Sequence, residues 1–139
     1  MRSNRKTKKQ HSPPPPRWPV YRHVIFDCDS TLTGIEGIDE LASHPDTRQR
    51  VADLTRSAMD GKVNLETVYG ERLEILQPTR GAVRALRSRY QKHVVEDAAA
   101  LMQALQVLGH EVYIVSGGLF DPVREFGLHL GVAPEHIRA

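Results

Sequence analysis

Two short β-branched runs, Val20–Phe26 and Glu111–Val115, are separated by a long stretch that carries only helical periodicity. Each run has the length and composition of a strand, and each stops at residues that favour turns: Asp27-Cys28-Asp29-Ser30-Thr31 after the first, Ser116-Gly117-Gly118 after the second. Between them, helical patterning covers Ile38 to Ala42 and Asp46 to Met59, with Val51, Leu54 and Ala58 on one face of the second. Gly61 breaks that pattern, Asn64 suits the N-cap of a helix from Leu65 to Gln77, and Pro78 stops it. Thr79 can cap a further helix, and another is expected from Glu96 to Leu108 with Gly109 as its C-terminal stop. After the second strand, Asp121-Pro122 reads as a capping carboxylate followed by a proline at the first helical position, with the helix ending near Gly131. Strand, several helices, strand, helix is the order of the α/β class.

A length of 139 residues suits one domain. No apolar run reaches the roughly 18 residues of a membrane span, so no membrane partner is expected. The single cysteine, Cys28, leaves no internal disulfide or cysteine-based zinc site and suits a reducing, cytoplasmic setting. The formal charge of +2 conceals a split, because residues 1–20 hold six basic and no acidic side chains. From Trp18 onward there are 13 basic and 17 acidic residues, so no nucleic-acid-binding surface is indicated. Residues 1–19, with Pro13 to Pro16, cannot bury enough apolar surface to offset their ordering entropy and read as a disordered tail. A polyproline ligand or an electrostatic tether are its functional alternatives.

The segment Asp27-Cys28-Asp29-Ser30-Thr31-Leu32-Thr33 carries the strongest chemical signal. Open α/β sheets bind ligands at the carboxyl ends of their strands, and residues two apart on extended backbone point the same way. Asp27 and Asp29 can therefore address one site. Holding two carboxylates together is costly unless a cation or a proton relieves the repulsion, and hard oxygen donors suit Mg²⁺. A polar turn that merely ends a strand is the competing account. Cys28, between the two, faces away and reads as a small buried hydrophobe. The seven histidines show no metal-ligand spacing.

This segment resembles the first motif of the haloacid dehalogenase superfamily, Asp-x-Asp-x-Thr after a hydrophobic strand. The resemblance implies an α/β Rossmannoid core with an inserted helical cap: core at 20–36 and 94–139, cap at 37–93. It implies Asp27 as phosphoryl-accepting nucleophile, Asp29 as general acid and base, and Mg²⁺ held at Asp27 and at the backbone carbonyl of Asp29. Val112-Tyr113-Ile114-Val115-Ser116-Gly117-Gly118 is similar to the second motif, in which Ser116 bonds a phosphoryl oxygen and Gly117 lets backbone N–H groups approach it. Within the superfamily the pattern resembles phosphoserine phosphatase: Glu36 would contact the substrate amine, Met59 would make a hydrophobic substrate contact, and Arg72 would grip the substrate carboxylate. The implied activity is hydrolysis of O-phosphoserine in L-serine biosynthesis through an aspartyl phosphate.

Arg72 stands out on physical grounds as well. Leu65, Val68, Tyr69, Ile75 and Leu76 form an apolar stripe with Arg72 in its middle, while Glu66, Glu71 and Glu74 lie toward the other side. An arginine on a buried face needs an anion, either a ligand carboxylate or some acid of the fold. The third and fourth family motifs have no counterpart: no lysine follows Lys92, and after Ser116 only Asp121, Glu125 and Glu135 are acidic. The expected core is thus incomplete, with two strands, exposed strand edges and activity lost in the isolated chain. A completing segment or subunit would have to be supplied. A phosphatase for another small phosphomonoester and a non-catalytic binding remnant are the alternatives.

Overall fold

The computed structural model describes residues 21–139, apart from the side chains of Met59, Leu65 and Glu66. The expected tail, 1–19, lies outside the described residues. Strand β1 (His23–Phe26) leads through α1 (Gly37–Glu40), α2 (Pro45–Met59), α3 (Leu65–Leu76), α4 (Arg80–Lys92) and α5 (Ala98–Val107) to β2 (Glu111–Val115). Helix α6 (Phe120–His129) and a 3₁₀ turn (Pro134–His136) then reach β3 (Ile137–Arg138). The α/β class is as the sequence implies. Among the described residues the sheet has three strands, in the order β1-β2-β3, all parallel.

The third strand corrects the expectation of two. Two residues are too short to show any periodicity, and Ile137 declares itself only by burial, with 1% of its surface exposed beside Ile114. Several element ends also differ by one to three residues. β1 begins at His23, three residues after the expected Val20. α5 begins at Ala98 and not at Glu96, because Asp97 takes a left-handed φ of 62° that no helix can include. α6 begins at Phe120, so Asp121 lies inside the first turn and does not cap it. Pro122 is tolerated there because the first N–H groups of a helix have no intrahelical acceptor. Thr79 does cap α4, accepting from the Ala82 N–H at 3.1 Å.

Val24, Phe26, Val112, Ile114 and Ile137 share one face through the strand registers. On that face Val112, Ile114 and Ile137 pack with Tyr90 of α4, Met102 of α5 and Val123 and Phe126 of α6, and Phe26 lies against them. Tyr90 and Phe126 meet with ring centroids 5.5 Å apart, which ties α4 to α6 over the sheet. Cys28 is wholly buried in this core, as expected, and burial pushes its thiol pKa upward. Connections between parallel strands are right-handed, so strands added in one direction place their helices on one face. The opposite face, carrying His23, Ile25, Glu111, Tyr113 and Val115, keeps Ile25 64% and Val115 49% exposed.

Phe126→Ala should therefore lower unfolding free energy by about 3–5 kcal/mol in urea denaturation, since it removes a fully buried ring. Phe120→Ala, at a ring 48% exposed, should change it by no more than about 0.5 kcal/mol.

Candidate active site

The β1–β2 register pairs Phe26 with Ile114, so the two strands end level and their following loops lie side by side. The Asp27 loop is tightly wound: the N–H groups of Thr31, Leu32 and Thr33 all donate to the Cys28 carbonyl, and Ser30 adopts φ 54°. It is also stitched to the chain entering α5, because Gly34 N–H donates to the His93 carbonyl and Val95 N–H to the Leu32 carbonyl. The buried Thr33 hydroxyl donates to the same His93 carbonyl at 3.2 Å. These bonds hold the loop without using either aspartate.

A cleft of about 250 Å³ opens above the strand ends, lined by Asp27, Asp29, Glu36, Ile38, Tyr69, Arg72 and the turn Ser116–Leu119. Asp27, Asp29, Glu36, Arg72, Ser116 and Gly117 thus come together as the sequence implied. The Met59 side chain lies outside the described ones. A larger open groove of about 940 Å³ runs between α2 and α3, past Asp53, Glu71 and Glu74, and contains none of the candidate residues.

Asp27 is exposed and accepts from the Thr31 hydroxyl at 3.3 Å. Asp29 is half-buried; its Oδ2 accepts from the Gly37 N–H at 3.2 Å, and its Oδ1 is buried with no hydrogen-bond partner. Burial pushes the Asp29 pKa above the ordinary aspartate value of 3.8, while Tyr90 and the Gly37 N–H pull it back and the Glu36 and Asp27 charges add to the rise. The Tyr90 hydroxyl, fully buried, interacts with Asp29 but falls short of a well-formed hydrogen bond. It also fills the space beside Gly37, where a methyl group would collide with it.

Glu36 precedes α1 and takes a 2.6 Å hydrogen bond from the Ser30 hydroxyl through Oε1. α1 is anchored from α4 by Arg89, whose guanidinium meets both the carbonyl and the carboxylate of Glu40 at 2.7 Å. Arg72 reaches in from α3. Its Nη1 donates to the Thr55 hydroxyl at 3.2 Å, its guanidinium lies 6.0 Å from the Tyr69 ring centroid, and its buried Nε has no acceptor. Among the described residues no carboxylate pairs with it at ion-pair distance, so the acid of the fold considered from sequence is not present there. The Ser116 hydroxyl accepts from the Gly118 N–H at 3.0 Å, which leaves its own proton available to a ligand.

Gly118, Tyr69, Thr31 and Tyr90 belong to this arrangement without having been singled out as site residues. A Cβ on Gly118 would lie 3.2 Å from both Asp29 Oδ2 and Ser116 Oγ, so glycine permits the two loops to close. Thr31 had a sequence signal, its place in the Asp27 motif. Tyr90 had none, because its contact to Asp29 spans the whole helical insertion. As for a metal, the exposed Asp27 carboxylate and the Asp29 backbone carbonyl are hard oxygen donors of the kind Mg²⁺ takes, and Mg²⁺ commonly uses one or two carboxylates with water and phosphate. No group of three potential ligands occurs among the described residues.

Residues 21–137 match the family model of haloacid dehalogenase-like hydrolases. The chain belongs to that family. Bovine phosphoserine phosphatase is 33% identical over 116 residues, covering 84% of this chain and 52% of the relative. The chloroplastic phosphoserine phosphatase of Arabidopsis thaliana is 31% identical over 122 residues, 88% of this chain and 41% of its own length. Among solved structures, a phosphoserine phosphohydrolase-like protein from Francisella tularensis superposes with a TM-score of 0.76 at 26% identity, over 86% of this chain and 58% of that one. A substrate-bound phosphoserine phosphatase gives 0.71 at 28% identity, over 87% and 56%. This haloacid dehalogenase-like chain spans about half the length of the curated relatives it matches.

A buried acid with a raised pKa favours the protonated form in the folded state, so stability is greatest below the unfolded value and declines as pH rises through the folded one. Tyr90→Phe removes a group that lowers the Asp29 pKa. In this variant the Asp29 pKa should rise further, and stability should decline over a wider pH span above 3.8. Carbon-detected NMR titration of the Asp29 carboxyl checks the first; an unchanged or lowered pKa would show that Tyr90 does not act on Asp29.

Proposed function

We propose that this chain carries the nucleophile, acid–base and substrate-recognition residues of a phosphoserine phosphatase-like hydrolase. The observation that carries the reading is the meeting of Asp27, Asp29 and Ser116 with Glu36 and Arg72 in one cleft. Its size suits a small phosphorylated molecule. The helical insertion at 37–93 is read as the cap over a core formed by 20–36 and 94–139.

The chemistry is that implied by the resemblance, and the geometry of each group supports it. The exposed Asp27 carboxylate attacks phosphorus, and the P–O bond to the serine oxygen breaks as the aspartyl phosphate forms. Asp29, kept protonated more readily by its burial, gives its proton to the departing serine oxygen. As carboxylate it then takes a proton from the water that attacks the aspartyl phosphate, which frees phosphate and restores Asp27. Ser116 donates its hydroxyl proton to a phosphoryl oxygen, and Gly117, with open space around it, leaves the backbone accessible. Glu36 pairs with the ammonium of the substrate and Arg72 with its carboxylate, which supplies an acceptor for the buried Arg72 Nε. The Met59 side chain is assigned to the hydrophobic contact by resemblance alone. Mg²⁺ would be held by the Asp27 carboxylate and the Asp29 backbone carbonyl and would neutralise charge on the phosphoryl group. The buried Cys28 thiol suits the cytoplasmic setting of serine biosynthesis, to which the same reading assigns the protein.

Arg72→Ala should weaken O-phosphoserine binding by about tenfold to a hundredfold, the loss expected for a charge-assisted pair. Inorganic phosphate should bind nearly as before, and titration calorimetry measures both. Equal losses for the two ligands would turn the reading toward another phosphomonoester. Phosphate release from O-phosphoserine with Mg²⁺ should disappear in Asp27→Asn. Release that persists in the variant removes Asp27 from the nucleophile's role, and a folded chain that binds without turnover supports the incomplete, non-catalytic reading that the half-length match favours.

A further inference from the structure

We propose that Thr55, on α2, is the positioning residue that makes Arg72 selective for a ligand carboxylate; the inference rests on reading Arg72 as the substrate's carboxylate partner. The two residues meet because α2 packs against α3. The Thr55 hydroxyl donates to the Val51 carbonyl, one turn back on its own helix, at 3.0 Å. That bond uses its only proton, so it turns lone pairs alone toward Arg72, whose Nη1 donates to it at 3.2 Å. Val51 is buried, so the carbonyl that orients the hydroxyl sits in a packed part of α2. A threonine bonded back to its own helix stabilises that helix little. Its contribution here lies in the guanidinium it holds.

A guanidinium carries its N–H donors in one rigid plane, so tying one nitrogen fixes where the others point. Nη1 is committed to Thr55, and the Tyr69 ring, its centroid 6.0 Å from Cζ, limits tilting of the plane. The edge opposite Nη1 is formed by Nε and Nη2, a fork that matches the two oxygens of a carboxylate. Nε is buried without an acceptor, and Arg72 lines the cleft that holds Asp27, Glu36 and Ser116. Thr55 therefore sets the forked edge of Arg72 as the one left for a ligand.

The chemistry of the acceptor matters as much as its place. A carboxylate at position 55 would orient Arg72 too, but it would also neutralise the charge before any ligand arrived. An uncharged hydroxyl orients the guanidinium and leaves its positive charge to the cleft. The fold does offer a competing acid. Burial raises the Asp39 pKa and the Arg72 charge opposes that rise, so the two groups interact. Among the described residues they nevertheless form no ion pair. Thr55 holds Arg72 on the side of α2, away from Asp39 on α1. Serine can replace that function, whereas valine keeps nearly the same shape and loses the acceptor.

The test compares the full 139-residue chain with its Thr55→Val and Thr55→Ser variants. Titration calorimetry uses O-phosphoserine and O-phosphoethanolamine, which keeps the phosphate and the ammonium but has no carboxylate. Thr55→Val should weaken O-phosphoserine binding by about tenfold and leave O-phosphoethanolamine within about twofold. Thr55→Ser should restore most of the loss. Without any ligand, rotation of the Arg72 guanidinium, read from its nitrogen resonances by NMR, should speed up severalfold in Thr55→Val and stay at the wild-type rate in Thr55→Ser. Equal losses for both ligands would mark a merely structural role and overturn the proposal. So would an undiminished preference for O-phosphoserine in Thr55→Val, a failure of serine to rescue, or an unchanged guanidinium rotation; each leaves Arg72 as the carboxylate partner. A wild-type chain without preference between the two ligands would instead remove that role from Arg72, and the proposal with it.

Discussion

Everything in this structure depends on one long-range pairing, the parallel ladder of His23–Phe26 against Glu111–Val115. A parallel pair requires a long crossover, and here the crossover contains all the helices from α1 to α5. Level strand ends bring the Asp27 loop against the Ser116 turn, and Gly118 lets them approach where any side chain would intrude on Asp29 and Ser116. The same crossover returns α3 and α1 over the strand ends, so Arg72 and Glu36 arrive from above. Without that ladder, the cleft has neither floor nor walls.

The cleft is held open in an electrostatic sense as well. Asp29 Oδ1, Arg72 Nε and the Tyr90 hydroxyl are buried without hydrogen-bond partners among the described residues, and all three belong to this region. Interiors rarely tolerate such groups, because an unmet buried donor or acceptor costs about 1–3 kcal/mol. Of the three, the Tyr90 hydroxyl lies against Asp29, while Asp29 and Arg72 both line the cleft. Asp27, Asp29 and Glu36 face a single guanidinium there, so a bound cation or a proton on Asp29 would relieve the repulsion among the acids.

Most of the site was legible because its residues carry local signals. Asp27 and Asp29 sit in a recognisable turn after a strand, Ser116 and Gly117 follow the second strand, and Arg72 interrupts an apolar helical stripe. What escaped lacks such signals. Tyr90 reads as an ordinary core aromatic of α4, and only packing shows its hydroxyl beside Asp29 and Gly37. Asp121 has the sequence look of a cap, but the helix starts two residues earlier than that, at Phe120 after Leu119. β3 is visible only as a buried Ile137 seated against Ile114.

Local chemistry, then, determined the element types, the α/β class and the carboxylates and turn residues offered at the strand ends, because turn preferences, helical periodicity and carboxylate spacing act over a few residues. Tertiary structure alone decided which groups share a cleft, that Asp29 is buried enough to favour its proton, and that no acid among the described residues pairs with Arg72. It also decided that, among the described residues, one sheet face keeps Ile25 and Val115 exposed. Those outcomes follow from contacts between segments far apart in the chain, and the free energies of burial and charge that fix them exist only once the segments have met.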